Sequence, residues 1–309
     1  MPHPARNSRR GLKRNRRCQK VDVDISLSHA RSDEPRQADI GPGSLTWRIF
    51  GQRLLCLIVP YTGTLQNMHP AVGQSLQEVS NFFDDPIDRI VRSIPPIMGV
   101  VYDDPEKQTG LMVRDFHHDI KGHLPSGERY HALDPDTYWW THATFIDTVI
   151  TISKYFGTPL TEAEKDQLVR EGVTWWKRYG LSMRPVIDNY RDFQAYWNRM
   201  HEQVLESNKT TDFATGKGGR SAMPKTLPVR VPAPLWRLAI EPAVRRVGSW
   251  LMSAMMSQRA RDILGLNWST TDELAFEALC YSVRLIWPRL PLKLRYFPRA
   301  YAAIQKHGL

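Results

Sequence analysis

The sequence predicts an all-α protein: a single large helical domain preceded by a basic tail. Three observations lead there. Helix caps and stops recur along the chain, with Asp134 before Pro135, Thr161 three residues before Glu164, and glycines at 157 and 180. Between them apolar residues repeat at helical spacing, while alternating strand patterns are nearly absent. The chain of 309 residues is 41% hydrophobic and holds ten tryptophans, paired at Trp139–Trp140 and Trp175–Trp176. Such a composition suits a thick apolar interior or a cavity for something large.

Residues 1–40 read as a basic, disordered tail and linker, and residues 41–309 as the domain. The first twenty residues carry eight Lys or Arg and no acid, so they hold most of the formal net charge of +10. No apolar run follows them, and neither a secretory nor a twin-arginine signal is expected. After the Pro/Gly-rich stretch 33–44, Ser44 is placed to cap a helix near Leu45. A second helix is expected over 70–82, with Pro70 in its first turn. The segment 84–98 starts on an acidic cap and is expected to stop at Pro95–Pro96, and 109–122 to form a helix closed by Gly122. The clearest helix runs from the Asp134 cap to Gly157, and the next from Thr161 to Gly180. An amphipathic helix covers 188–206, a long Gly/Pro/Lys loop 207–233, and further helices run from Pro234 to about Gly265 and from Thr271 to Trp287.

Composition excludes several classes. The three cysteines, Cys18, Cys56 and Cys280, are odd in number and form no CxxC pair, which argues against a zinc knuckle or a disulfide framework and suits a reducing, cytoplasmic setting. The best apolar run, "LLCLIVPY" at 54–61, is far too short to span a bilayer. Membrane contact, if any, is expected to be peripheral. Nucleic acid would have only the tail to bind and is not an expected partner. Nothing in the pattern fixes an oligomeric state.

Six of the ten histidines, His69, His117, His118, His123, His131 and His142, lie between 69 and 142. A di-iron carboxylate bundle needs two Glu-x-x-His units, and only Glu128–His131 has that spacing, in a turn-like stretch. HExxH, GxSxG, P-loop and GxGxxG motifs are absent. His142 is different, because its helical neighbours can be worked out. Tyr138, Phe145 and Ile146 share its face, followed by Val149 and Ile152. A neutral imidazole on an aromatic stripe is what a haem iron needs, with Tyr138 and Phe145 as walls for the porphyrin. An ordinary core helix fits the same stripe.

The segment "FHHDIKGHLPSGERYHALDPDTYWWTHATFIDTV" resembles the signature of the family of mpaB-type oxygenases and rubber oxygenases (latex-clearing proteins). That signature is H-x-x-V-x-G, then G-x-x-Y-x-A-x-D-P, then W-x-H-A-T. Here His117, Ile120 and Gly122 correspond to the first part; Gly127, Tyr130, Ala132, Asp134 and Pro135 to the second; and Trp140, His142, Ala143 and Thr144 to the third. Upstream, Gln66, His69 and Pro70, then Asp85, Pro86, Arg89, Arg92 and Ser93, are similar to two further family segments. The stretches "LGLNWSTTDE" and "RLPLKLRYFPRAY" are similar to the family's C-terminal end, so the resemblance covers roughly 41–300.

The resemblance implies a globin-like helical core around haem b, with His142 as the proximal iron ligand. Rubber oxygenases carry an Arg-x-x-Lys-Thr segment on the distal side, whose lysine can reach the iron. This chain has Arg89, Arg92 and Ser93 at the matching places. A guanidinium has no lone pair to offer, so Arg92 is expected to pair with a propionate or polarise dioxygen, and His117 to act as a base on the distal side or one step behind it. The implied activity is dioxygen-dependent oxidation or cleavage of a C=C bond in an apolar, isoprenoid- or lipid-like substrate. The missing lysine leaves a second reading open, a non-enzymatic haem- or lipid-binding helical protein.

Overall fold

The computed structural model describes residues 35–308 apart from 80–82, 84–85, 220–222 and 226–230. The tail expected over 1–34 lies outside the described residues, as does Cys18. What is described is an all-α domain carrying one two-stranded hairpin.

The chain enters along what becomes its seventh helix. Ala38 donates its N–H to the Arg170 carbonyl at 3.1 Å, and Thr174 Oγ1 donates to the Ala38 carbonyl at 2.6 Å. Helix α1 (Leu45–Phe50) is capped by Ser44, whose hydroxyl accepts from Trp47 N. Glu171 completes that cap from a distance. It is fully buried, and its carboxylate accepts from Leu45 N at 3.0 Å, Thr46 N at 2.8 Å and Thr46 Oγ1 at 2.7 Å. An anion at a helix N-terminus satisfies the donors that have no intrahelical partner. Glu171→Gln puts an amide N–H₂ among donors, so it should cost on the order of 3 kcal/mol in chemical denaturation; an unchanged midpoint would contradict this capping role.

Helix α2 (Leu55–Asn67) follows after a break at Gly51, where a Cβ would lie 2.3 Å from Tyr102 Oη. It is central, packing on both α6 (Pro135–Phe156) and α11 (Glu241–Met255). Helix α3 is described over Pro70–Val79, and the rest of the expected 70–82 lies outside the described residues. Helix α4 (Pro86–Tyr102) runs straight through Pro95 and Pro96, where the sequence predicts a stop. The two prolines remove donors to the carbonyls of Val91 and Arg92. Both residues are exposed, so water can serve those carbonyls, and the turn beyond, Met98–Tyr102, is anchored in the core.

The second correction is at 109–122. Helix α5 covers only Thr109–Asp115, and β1 (Lys121–His123) pairs antiparallel with β2 (Arg129–His131). Gly127, at φ +87°, makes the turn. Gly122 is not a helix stop. It faces Tyr130 across the ladder, and a Cβ there would fall 2.7 Å from Tyr130 Oη and 2.6 Å from Glu78 Oε2. Tyr130 is buried against it and donates to Glu78 Oε2 at 2.6 Å. Tertiary packing of Tyr130 overrides the local helical pattern.

The rest follows the caps. In α6, Asp134 Oδ1 accepts from Asp136 N and Thr137 N, with Pro135 in the first turn and Gly157 at the end. Helix α7 (Glu162–Lys177) has the Thr161–Glu164 capping box, and Gly180 lies in the left-handed region beyond it. Helix α8 (Tyr190–Gln203) packs on α7. The stretch read as a loop from 207 begins with α9 (Lys209–Ala214), because Asn208 caps it and ties it to the Asn67 carbonyl at 2.7 Å. Then come α10 (Ala233–Leu235), a π-helical turn (Trp236–Ile240) and α11. Helices α12 (Gln258–Leu264), α13 (Thr270–Ile286), α14 (Leu292–Arg295) and α15 (Pro298–Lys306) complete the domain. The chain breaks at Met256–Ser257, between α11 and α12, where continuous helical pattern was expected. No described helix is long and apolar enough to cross a membrane.

Candidate functional site

The helices leave a cavity of about 570 Å³ between them. Its walls come mainly from α2, α3, α4, the stretch from Val113 to Ile120, α6 and α11, with Phe50, Tyr130, Phe213 and Trp236 completing them. Apolar side chains dominate, among them Val59, Ile94, Ile97, Phe145 and Met252. Two glycines keep it open. A Cβ on Gly63 would meet nothing within 4 Å, and one on Gly248 only Pro60 Cγ at 3.9 Å.

His142 stands in the wall, contributed by the second turn of α6, and is 1% exposed. The aromatic stripe expected around it is present, and the tryptophan pairs close it in. The rings of Trp139, Trp175, Trp176 and Tyr179 lie 5.2–5.8 Å from the imidazole, centroid to centroid. Its Nε2 is 2.9 Å from the Gly172 carbonyl. A carbonyl can only accept, so Nε2 carries the proton. That leaves Nδ1 with a lone pair, buried and without a partner. Burial pushes the ring's pKa down to about 4, against the Gly172 hydrogen bond, so the ring is neutral near pH 7. Gly172 is itself required for this approach: a Cβ there would sit 2.5 Å from Ile146 Cδ1 and 3.7 Å from His142 Nε2.

His117 lines the cavity from the turn after α5. Its Nδ1 donates to the Val113 carbonyl at 2.9 Å, which leaves Nε2 as the acceptor. Burial lowers its pKa, the Val113 hydrogen bond opposes the shift, and the Arg89 charge adds to it. Tyr138 links the two histidines. It lies one turn before His142 on α6, and its ring is 5.5 Å from that of His117.

Of the residues singled out from sequence, Arg89, Ser93, His117, Tyr138, His142 and Phe145 all line this cavity. Ser93 Oγ donates to the Arg89 carbonyl at 2.9 Å, so its proton is held by the helix and its oxygen can only accept. Arg92 is not brought in. It is exposed on the opposite side of α4 from the cavity-facing series Pro86, Ile90, Ser93 and Ile97.

Sequence reasoning missed Trp236. It is buried in the cavity wall, at the start of the π-helical turn, and its Nε1–H has no partner. Glu241 and Arg245 line the same cavity as a buried carboxylate and its cation, 3.2 Å apart. No spacing signal marks these three residues, since they sit in a Pro-rich stretch without caps. The described residues hold no group of three or more His, Cys, Asp or Glu side chains arranged for a bare metal ion.

The ligand-free protein should lose stability on acidification. His142 and half-buried His69 both fall to about 4 in the fold, mainly through burial. Below an unfolded value of about 6.5 the unfolded chain takes up protons that the native state refuses, so stability drops from pH 6.5 to 4 and then levels off. Asp147, raised by burial to about 6 and accepting from the Tyr61 hydroxyl at 2.8 Å, acts oppositely below pH 6. Urea midpoints across pH 7 to 4 should therefore fall for the wild type and fall more steeply for Asp147→Asn; midpoints independent of pH would contradict this.

A helical domain enclosing a mainly apolar cavity, with a buried neutral histidine in its wall, has room for an apolar or flat organic group. The chain belongs to the family described as ER-bound oxygenase mpaB/B'/rubber oxygenase, catalytic domain, whose model matches residues 47–285. Comparison with curated proteins and with solved structures finds no match. Membership points to an oxygenase, with dioxygen and an organic substrate as its partners.

Proposed function

We propose that the protein is a haem b-dependent oxygenase that oxidises or cleaves a C=C bond of an unsaturated, isoprenoid- or lipid-like substrate. The observation that carries this reading is the orphaned Nδ1 of His142. Leaving a buried acceptor unpaired costs about 1–3 kcal/mol, and a neutral imidazole whose other nitrogen is fixed by a backbone carbonyl is a suitable iron ligand. The residues present fit the group: a lone pair on a buried wall, aromatic and aliphatic surroundings, and room kept by Gly63 and Gly248.

In this reading His142 would hold the iron, and Tyr138 and Phe145 would contribute apolar surface for the porphyrin. Haem, when bound, supplies dioxygen activation, which no protein side chain provides. The chain's own residues do the rest. The apolar walls exclude water and select an apolar chain. His117, neutral and with a free acceptor nitrogen, takes or returns a proton at Nε2. Arg89 brings a fixed positive charge into the cavity for a propionate or a developing oxyanion. Ser93 offers an acceptor oxygen beside it.

The test is turnover. The haem-loaded protein should consume dioxygen with a polyene such as squalene and form carbonyl products, and should be inert toward the saturated analogue. Haem loading without dioxygen uptake on any polyene would instead favour a non-enzymatic haem- or lipid-binding protein.

A further inference from the structure

The cavity reaches the surface beside an unusual stretch. Between Phe213 and Arg261 the sequence carries nine Lys or Arg and a single acid, Glu241. Glu241 is buried and paired with Arg245, so the exposed part of this stretch bears no negative charge. Asp88, at the start of α4, is buried as well and accepts from Lys225 N at 2.6 Å.

Apolar side chains are exposed along the same stretch. Leu238 is 78% exposed, Val247 55% and Val244 48%, with exposed Leu235 beside them and exposed Arg237 and Arg246 interleaved. The π-helical turn is part of the cause. Pro242 cannot donate to the Leu238 carbonyl, and Glu241 N reaches back to Trp236 instead. Val244 of α11 and Ile90 of α4 both line the cavity and are both partly exposed, so they stand at its mouth. The apolar rim is thus continuous with the apolar interior.

We propose that this face, α10 through α11 with Ile90 of α4, docks on an anionic lipid surface, with the cavity mouth turned into it. Exposed leucine and valine among arginines is the chemistry of an interfacial helix: the apolar side chains enter the acyl boundary and the guanidinium groups meet lipid phosphates. Charge disfavours the other occupants on hand. The N-terminal tail is itself strongly basic, and a second copy would set arginine against arginine. Docking lets an apolar substrate pass from the bilayer into the cavity without crossing water, a consequence that rests on the function proposed above; the docking itself does not.

The experiment is flotation of the full chain with vesicles of phosphatidylcholine alone or mixed with phosphatidylglycerol. The chain should float with the mixed vesicles, far less with the neutral ones, and less at high salt. Leu238→Glu with Val247→Glu should lower partitioning by about tenfold or more. Leu274→Glu with Leu285→Glu, on the exposed apolar face of α13, should leave it unchanged, and the melting temperature should hold for both pairs. Wild-type flotation of the Leu238/Val247 variant would assign binding to the tail and overturn the proposal. So would absence of binding to mixed vesicles, or displacement by RNA. Haem content is read separately: vesicle binding by a protein that takes up no haem sinks the oxygenase reading alone, and haem uptake without vesicle binding sinks the docking alone.

Discussion

Replacing His142 with alanine should abolish stoichiometric haem binding while leaving the domain folded. Three energies decide the second half of that statement. Emptying a buried ring site costs on the order of 3 kcal/mol. The same change removes a buried acceptor that has no partner, which returns roughly 1–3 kcal/mol. Loss of the Nε2–Gly172 hydrogen bond adds about 1 kcal/mol, so the haem-free protein loses roughly 2 kcal/mol in all, and circular dichroism should show a folded protein melting a few degrees below the wild type. Haem affinity, by contrast, should fall at least about a hundredfold, beyond the 10–100-fold typical when only an outer-sphere partner of a metal ligand is lost. Added imidazole should restore the Soret band of the alanine variant, because the vacated space is lined by Trp139, Trp175, Trp176 and Tyr179 and accepts a flat ring. A histidine with a merely structural role predicts no such rescue. Unchanged haem affinity in the variant would remove His142 as the ligand.

Gly63→Leu should have the opposite signature, a protein more stable and yet unable to take up its ligand. The position is in the middle of α2 and faces the cavity, with nothing within 4 Å of an added Cβ. Leucine gains about 0.8 kcal/mol in helix propensity over glycine and buries apolar surface in space that the wild type leaves empty. It does so by occupying the cavity. Thermal melting of the haem-free variant should match or exceed the wild type, and titration with haem or with a polyene should show little binding. Wild-type stoichiometry in this variant would mean that the ligand lies elsewhere.

Much of this was legible before the fold was known, for reasons that are local. The α6 helix announces itself through Asp134, Pro135 and Gly157, and periodicity within it places His142 on the stripe of Tyr138, Phe145 and Ile146. The same rule could have placed Arg92 outside the cavity: Ile90, Ser93 and Ile97 share one face of α4, and Arg92 falls on the other. Distant partners were not legible. The Gly172 carbonyl that fixes the His142 tautomer lies thirty residues away, and Glu171 caps a helix more than a hundred residues upstream. The hairpin at 121–131 was hidden because its cause, Tyr130 packed on Gly122 and bonded to Glu78, is a tertiary contact. Trp236 gave no signal, since its significance is a buried N–H and not a spacing.

The central claim, that this cavity holds haem on His142, is tested most directly by the absorption spectrum of the full chain expressed with adequate iron, read together with its cofactor mass. A Soret band and one haem b per chain are expected, with a spectrum that changes when His142 is replaced. Colourless protein that also fails to bind added haem in a one-to-one ratio would contradict it.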